Sequence, residues 1–260
     1  TRCNRVTGVQ TCALPICWDF PYALGRVAEH YQAWEIVAEG KHFLRDIIDD
    51  FLRLTPSYDL EYSVHAPLSD VNIGAINPRM REAALKEVLD ALDIAHRMGI
   101  DLMTVHPGFM SPLAILDRDT AVQATKGSLK AIDARGRDLG IRVALENMPE
   151  MPVSMAKVPE ELLEFMDGTD LGVCFDIGHA NTVGNIPDFL AIKDRFINMH
   201  VHDNVGDRDR HMVIGEGNID FRKWLEAFRP YHGRYVIEAR ELERSLVSRD
   251  RLQGMLASLD

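Results

Sequence analysis

The chain has 260 residues, of which 46% are hydrophobic, enough to bury one substantial core and making a single domain the default. A formal net charge of -11 argues against the broad cationic surface that usually marks nucleic-acid binding. No apolar run approaches the ~18 residues of a membrane span, and no charged leader with a long apolar region is present. A soluble, cytoplasmic protein without a membrane partner is therefore expected.

From Trp18 onward, short β-rich apolar runs alternate with stretches of helical period, the pattern of βα units around a parallel sheet. Strands are predicted at 33–38, 60–65, 101–106, 141–146, 171–176, 196–202 and 234–239. Helices are predicted at 22–31, 41–54, 78–98, 119–139, 158–167, 187–193, 220–229 and 241–258. The stretch 79–98 shows the period well: Met80, Ala84, Leu85, Val88, Leu92 and Ala95 share one face. Gly99, Gly140 and Gly233 sit where helix C-terminal caps are expected.

Seven strands, each followed by a helix, make an α/β fold of the (β/α)8 TIM-barrel type. An eighth strand should precede Trp18. That region carries no clear periodicity, and residues 1–16 resemble translated sequencing-adapter sequence. The expectation is a non-native segment over 1–17, a first strand missing or replaced by that sequence and pairing poorly with the rest, and one catalytic barrel domain over 18–260. Three of the four cysteines fall in the first 17 residues and carry no functional meaning on this reading. Cys174, in an apolar run, reads as a buried core thiol rather than a nucleophile.

Each strand from the second onward ends in a residue of metal-ligand type: His65, His106, Glu146, Asp176, His200 and Glu238. His179, His202, Asp209 and His211 follow in the adjoining segments. In a parallel barrel the C-terminal strand ends converge on one rim. Singly, each residue reads equally well as a rim hydrogen-bonding group, and Asp176 as a helix N-cap. Jointly they are hard to explain without a cation, because burying carboxylates beside one another is costly. Imidazole and carboxylate donors suit a divalent metal, with zinc or manganese foremost. No P-loop, nucleophile elbow or C-x-x-C occurs, and Gly215-Glu216-Gly217 lacks the strand-turn-helix context of a dinucleotide fingerprint.

These residues resemble the metal-binding pattern of the endonuclease IV family, within the xylose-isomerase-like superfamily of barrels, and the similarity runs in order from about 60 to 240. The resemblance implies three metals: one on His65, His106 and Glu146, a second on Glu146, Asp176, His200 and Glu238, and a third on His179, Asp209 and His211. It implies a phosphoester hydrolase using up to three zinc ions, with Glu146 and Glu238 catalytic and His202, Arg208 and Arg210 facing a small phosphorylated or sugar-like substrate.

Three departures argue against duplex DNA. Asn147-Met148-Pro149-Glu150-Met151-Pro152 replaces a glycine-rich loop, Ala180-Asn181-Thr182-Val183-Gly184 follows His179, and Leu68 stands where an aromatic is expected. The alternative is a sugar or sugar-phosphate isomerase or epimerase. It would hold one manganese, cobalt or magnesium on Glu146, Asp176, His200 and Glu238, and use Glu146 and Glu238 as a proton-transfer pair. An inactive metal-storing barrel is the third reading.

Overall fold

The computed structural model describes the backbone of residues 9–12 and the whole of residues 16–259. Eight parallel strands close into a barrel in sequence order: β1 Val9–Cys12, β2 Ala33–Val37, β3 Glu61–His65, β4 Leu102–Val105, β5 Arg142–Glu146, β6 Gly172–Asp176, β7 Phe196–Val201 and β8 Tyr235–Glu238. Around them lie α1 Phe20–Ala28, α2 Leu44–Leu54, α3 Pro78–Arg97, α4 Pro112–Leu116, α5 Arg118–Leu139, α6 Pro159–Phe165, α7 Ile177–Val183, α8 Phe221–Ala227 and α9 Leu242–Ala257. The seven predicted strands are all present within a residue or two of their expected bounds.

Of the two outcomes expected for the first strand, missing or replaced by the adapter-like stretch, the first is corrected: a strand is present and lies within that stretch. β1 pairs with β8 at four positions, from Val9 opposite Tyr235 to Cys12 opposite Glu238, and touches β2 through Thr11 opposite Trp34. Parallel pairing is made by backbone groups, so a short extended segment can close the sheet whatever its side chains. The rest of the presumed non-native stretch, apart from residues 16 and 17, lies outside the described residues.

Further differences concern helices. Residues 187–193 belong to a 3-10 run, Ile186–Arg195, rather than an α-helix. Two short helices fall outside the predicted set: α4, five residues long, and α7, which follows β6 with no turn between them. On α3, Ala84, Val88, Leu92 and Ala95 are buried as expected, but Met80 lies in the first turn and is 62% exposed. Gly140 takes a left-handed φ of 71° as the C-cap of α5, and Gly99 has φ of 73°, as the sequence implies. Gly233 caps nothing: α8 ends at Ala227, and a Cβ at Gly233 would meet the Tyr231 hydroxyl at 2.3 Å.

The outer core packs strand residues such as Trp34, Val64, Met103 and Phe175 against the helix faces. Within the barrel, Leu102, Ala144 and Cys174 form a small separate apolar group. Glu35, Ser63, Thr104 and Asn198 form a buried polar layer linked by hydrogen bonds. Register then places Val37 beside His65, Glu146 beside Cys174, and Asp176 beside His200. The ionisable strand ends therefore crown one rim.

Candidate metal centre

β3 and β5 bring His65 Nε2 to 3.2 Å from Glu146 Oε2, and the turn after β4 brings His106 Nε2 to 3.1 Å from the same oxygen. His65 donates its Nδ1 hydrogen to the Ala66 carbonyl at 2.9 Å, which leaves Nε2 turned to the cluster. His200 Nδ1 lies 3.2 Å from Glu146 Oε1 and 3.0 Å from Glu238 Oε1. With Asp176 these form a buried four-donor group whose ligand atoms all lie within 4.8 Å of one another. Two atoms bound to one zinc at about 2.0–2.2 Å can be no more than about 4.4 Å apart, so small adjustments bring the set to coordination distance.

Asp176 has two tasks. Its Oδ1 accepts the His179 backbone N–H at 2.7 Å, capping α7, while Oδ2 is buried without a hydrogen-bond partner. The cap starts a helix whose first turn sets His179 beside the cluster. His179 donates its Nδ1 hydrogen to the Asn147 carbonyl at 2.8 Å, and its Nε2 stands 3.6 Å from Asp209 Oδ2.

The third group differs from the expected one. His202, expected to face substrate, is 1% exposed, and its ring stacks on His211 at 4.3 Å between centroids. Its Nε2 lies 3.3 Å from Asp176 Oδ1 and 3.2 Å from Asp209 Oδ1. The donors gather as Asp176, His179 and His202, and as His202, Asp209 and His211, so His202 joins the two ends of the expected His179, Asp209 and His211 set.

The residues present fit cations. Asp176 Oδ2, both ring nitrogens of His202, Asp209 Oδ1 and His211 Nδ1 are buried and without hydrogen-bond partners among the described residues. Leaving such atoms unsatisfied costs about 1–3 kcal/mol each. Without ions the charge is balanced by protons. Burial disfavours the charged form of every ring here, but Asp176, Glu146 and Asp209 hold His179 well above the ordinary histidine range. Asp176 and Asp209 likewise push His202 up to about 9. Glu146, despite burial, is held well below the carboxylate range by His200 and His106. His106 moves the other way, because burial outweighs the pull of Glu146.

Above the donors opens a cavity of 590 Å³. His65, His106, Glu146, His179, Asp209, His211 and Glu238 reach it, and Leu68, Val71, Phe109, Met148, Met151 and Val153 line it. Arg208 and Arg210, expected at the substrate, do not line it: Arg208 is exposed, and Arg210 donates to Asp207 at 2.8 Å. Arg240, two residues beyond Glu238, does line it, and has no ion-pair partner among the described residues.

A family model described as xylose isomerase-like TIM barrel matches residues 24–257. The chain belongs to that family. It is 36% identical to an uncharacterized protein of Methanocaldococcus jannaschii over 90% of this chain and 84% of the relative. A crystal structure described as a D-tagatose 3-epimerase-like protein superposes with a TM-score of 0.91 at 32% identity, covering 97% of this chain and 98% of the other. The probable endonuclease 4 of Aquifex aeolicus is 29% identical over 64% of this chain and 63% of its own length. The relatives thus span both branches of the family that the sequence resembles.

Several supporting residues of this family member escape sequence reasoning. Glu35 is fully buried inside β2, with Oε1 2.8 Å from His200 Nε2. Its signal was a lone carboxylate within an apolar strand. Asn147 grips β6 through two bonds, donating from Nδ2 to the Asp176 carbonyl at 2.9 Å and accepting the Asp176 N–H at 2.8 Å. Asp203 accepts the backbone N–H groups of Asn204, Gly215, Gly217 and Ile219. It thereby folds the loop that carries Asp209 and His211. A Cβ at Gly217 would fall 2.2 Å from Asp203 Oδ1, so only glycine fits that approach.

No helix among the described residues is long and apolar enough to cross a membrane.

Proposed function

We propose that residues 18–260 form one catalytic domain, a divalent-metal-dependent phosphoester hydrolase. It resembles endonuclease IV in its donor set, holds up to three zinc ions, and acts on a small phosphorylated substrate rather than duplex DNA. The observation that carries this reading is convergence. His65, His106, Glu146, Asp176, His179, His200, Asp209, His211 and Glu238 all contribute to overlapping donor groups, whereas a one-metal isomerase needs only four of them. Imidazole and carboxylate donors suit zinc at an open, reactive site; the Cys174 sulfur also lies within reach of Glu146 and His200, but burial holds it as the neutral thiol.

Divalent ions in such a cluster supply Lewis acidity, lowering the pKa of water and offsetting charge that develops on phosphoryl and leaving oxygens. The chain's own residues orient and shield the reaction. Glu35, Asn147 and the Ala66 carbonyl fix the imidazole orientations through hydrogen bonds. Glu238 lines the cavity beside His200 Nδ1 at 3.0 Å, and its position there would let it accept the proton of the attacking water. Arg240 offers the cavity a cation for a phosphate oxygen. The apolar wall lowers the polarity beside the donors.

A second reading has its own support. Glu146 and Glu238 both lie within 3.2 Å of His200 Nδ1, and the structural relative at 32% identity is described as D-tagatose 3-epimerase-like. In that reading one manganese, cobalt or magnesium sits on the four-donor group, and the two glutamates exchange a proton with a sugar carbon. Elemental analysis of the purified chain, followed by assays on phosphodiesters and ketoses, separates the two. About three zinc ions with phosphodiester turnover supports the hydrolase. A single manganese with ketose epimerisation sinks it.

A further inference from the structure

The cavity wall away from the donors is apolar and braced. Phe109, Met151 and Val153 line it while remaining 38%, 43% and 37% exposed. Their backbones are tied together: Met110 N–H donates to the Val153 carbonyl at 2.7 Å, and Phe109 forms an antiparallel bridge with Ser154. Asn72 adds a clamp, accepting from Phe109 N–H at 3.1 Å and donating to its carbonyl at 2.9 Å. An exposed aromatic held this firmly beside a donor cluster is presented rather than left over.

The chemistry of the wall discriminates among substrates. Glu39, one of its few polar groups, is already engaged by Leu68 N–H and by the N–H and hydroxyl of Ser69. A polyhydroxylated substituent pressed against Leu68, Val71, Phe109, Met148 and Met151 would lose hydrogen bonds to water and find few in return, since Ser154 Oγ is itself buried and Arg240 is left to the phosphate. An apolar group gains by leaving water there. A ring in particular gains edge or offset contacts with Phe109 and sulfur contacts with the methionines.

We infer that the phosphoester carries a planar apolar substituent, an aryl group, seated against Phe109, Met148 and Met151. This rests on the phosphoester reading above. The probes are two non-hydrolysable anions, phenylphosphonate and methylphosphonate, titrated calorimetrically into the zinc-loaded protein. Phenylphosphonate should bind on the order of tenfold more tightly. The double variant Phe109→Ser with Met151→Ser, both at exposed positions, should keep its melting temperature and its methylphosphonate affinity and lose the preference.

Equal affinities, no binding of either anion, or a preference that survives in the double variant would each overturn the aryl subsite. Turnover of bis(4-nitrophenyl) phosphate is measured separately. If it is absent while the preference for phenylphosphonate stands, the hydrolase reading fails and the aryl subsite is supported.

Discussion

Glu35 Oε1 and His200 Nε2 stand 2.8 Å apart with both side chains fully buried, beneath the four-donor group that His200 joins through Nδ1. A carboxylate on the far nitrogen of a ligating histidine sets its tautomer and raises its basicity. Glu35→Gln keeps the shape and removes the charge. Metal affinity should fall by about 10–100-fold, measured by competition with a chromophoric chelator. An affinity unchanged within twofold would show that His200 is oriented by packing alone.

Asp203 organises the loop that carries Asp209 and His211, so its loss should be felt mainly there. Asp203→Ala leaves four backbone N–H groups without their acceptor, costing about 3 kcal/mol or more by analogy with other buried deletions. In denaturant melts the midpoint should drop accordingly. Metal content should fall by one ion while the sites of His65, His106 and Glu146 stay filled; full retention of metal would separate the loop from the cluster.

Gly178 lies against the ring of His202, where an added Cβ would come within 2.1 Å of Cε1. The methyl group must push aside a ring that stacks on His211 and lies beside Asp176 and Asp209. Gly178→Ala should cost about 1–3 kcal/mol and release one metal ion. If the variant binds metal as the parent does, His202 is a packing residue only.

Chelation should make the protein's stability depend on pH. Without metal, burial opposes charging of His202, but Asp176 and Asp209 raise its pKa from 6.5 to about 9, and His179 and His200 move the same way through their carboxylate neighbours. A group with a raised folded pKa stabilises the fold fully below its unfolded value and loses that contribution as pH climbs through its folded value. Glu35, Glu146, Asp209 and Glu238, all lowered despite burial by the histidines around them, stay ionised in this window. The melting temperature of the chelated protein should therefore fall by several degrees from about pH 6.5 to 9. The loaded protein should hold steady, and loading below pH 9 should release protons. Parallel melting curves with and without chelator would count against the charge balance described.

The strand set and the rim donors were legible because each obeys a local rule. Runs such as residues 141–146 are apolar and β-rich and end in a carboxylate, and parallel topology sends such ends to one rim. The short helices α4 and α7 were not legible: five residues give no period to read, and α7 follows β6 with no turn to separate them. Met80 shares the amphipathic face of α3 and is exposed, because periodicity identifies a face but not how far along the helix the core extends.

The chain's sequence determined the barrel, seven of its strands and the residue types that crown it, because strand propensity, alternation of elements and strand-end chemistry are local properties. Tertiary structure alone decided that β1 closes the ring and that His202 lies among the donors. It also put Arg240 at the cavity rather than Arg208 or Arg210, and placed Glu35 behind His200. Those outcomes depend on contacts between residues far apart in the chain, such as Val9 with Tyr235 and Glu35 with His200, and only the closed barrel brings such residues within hydrogen-bond reach.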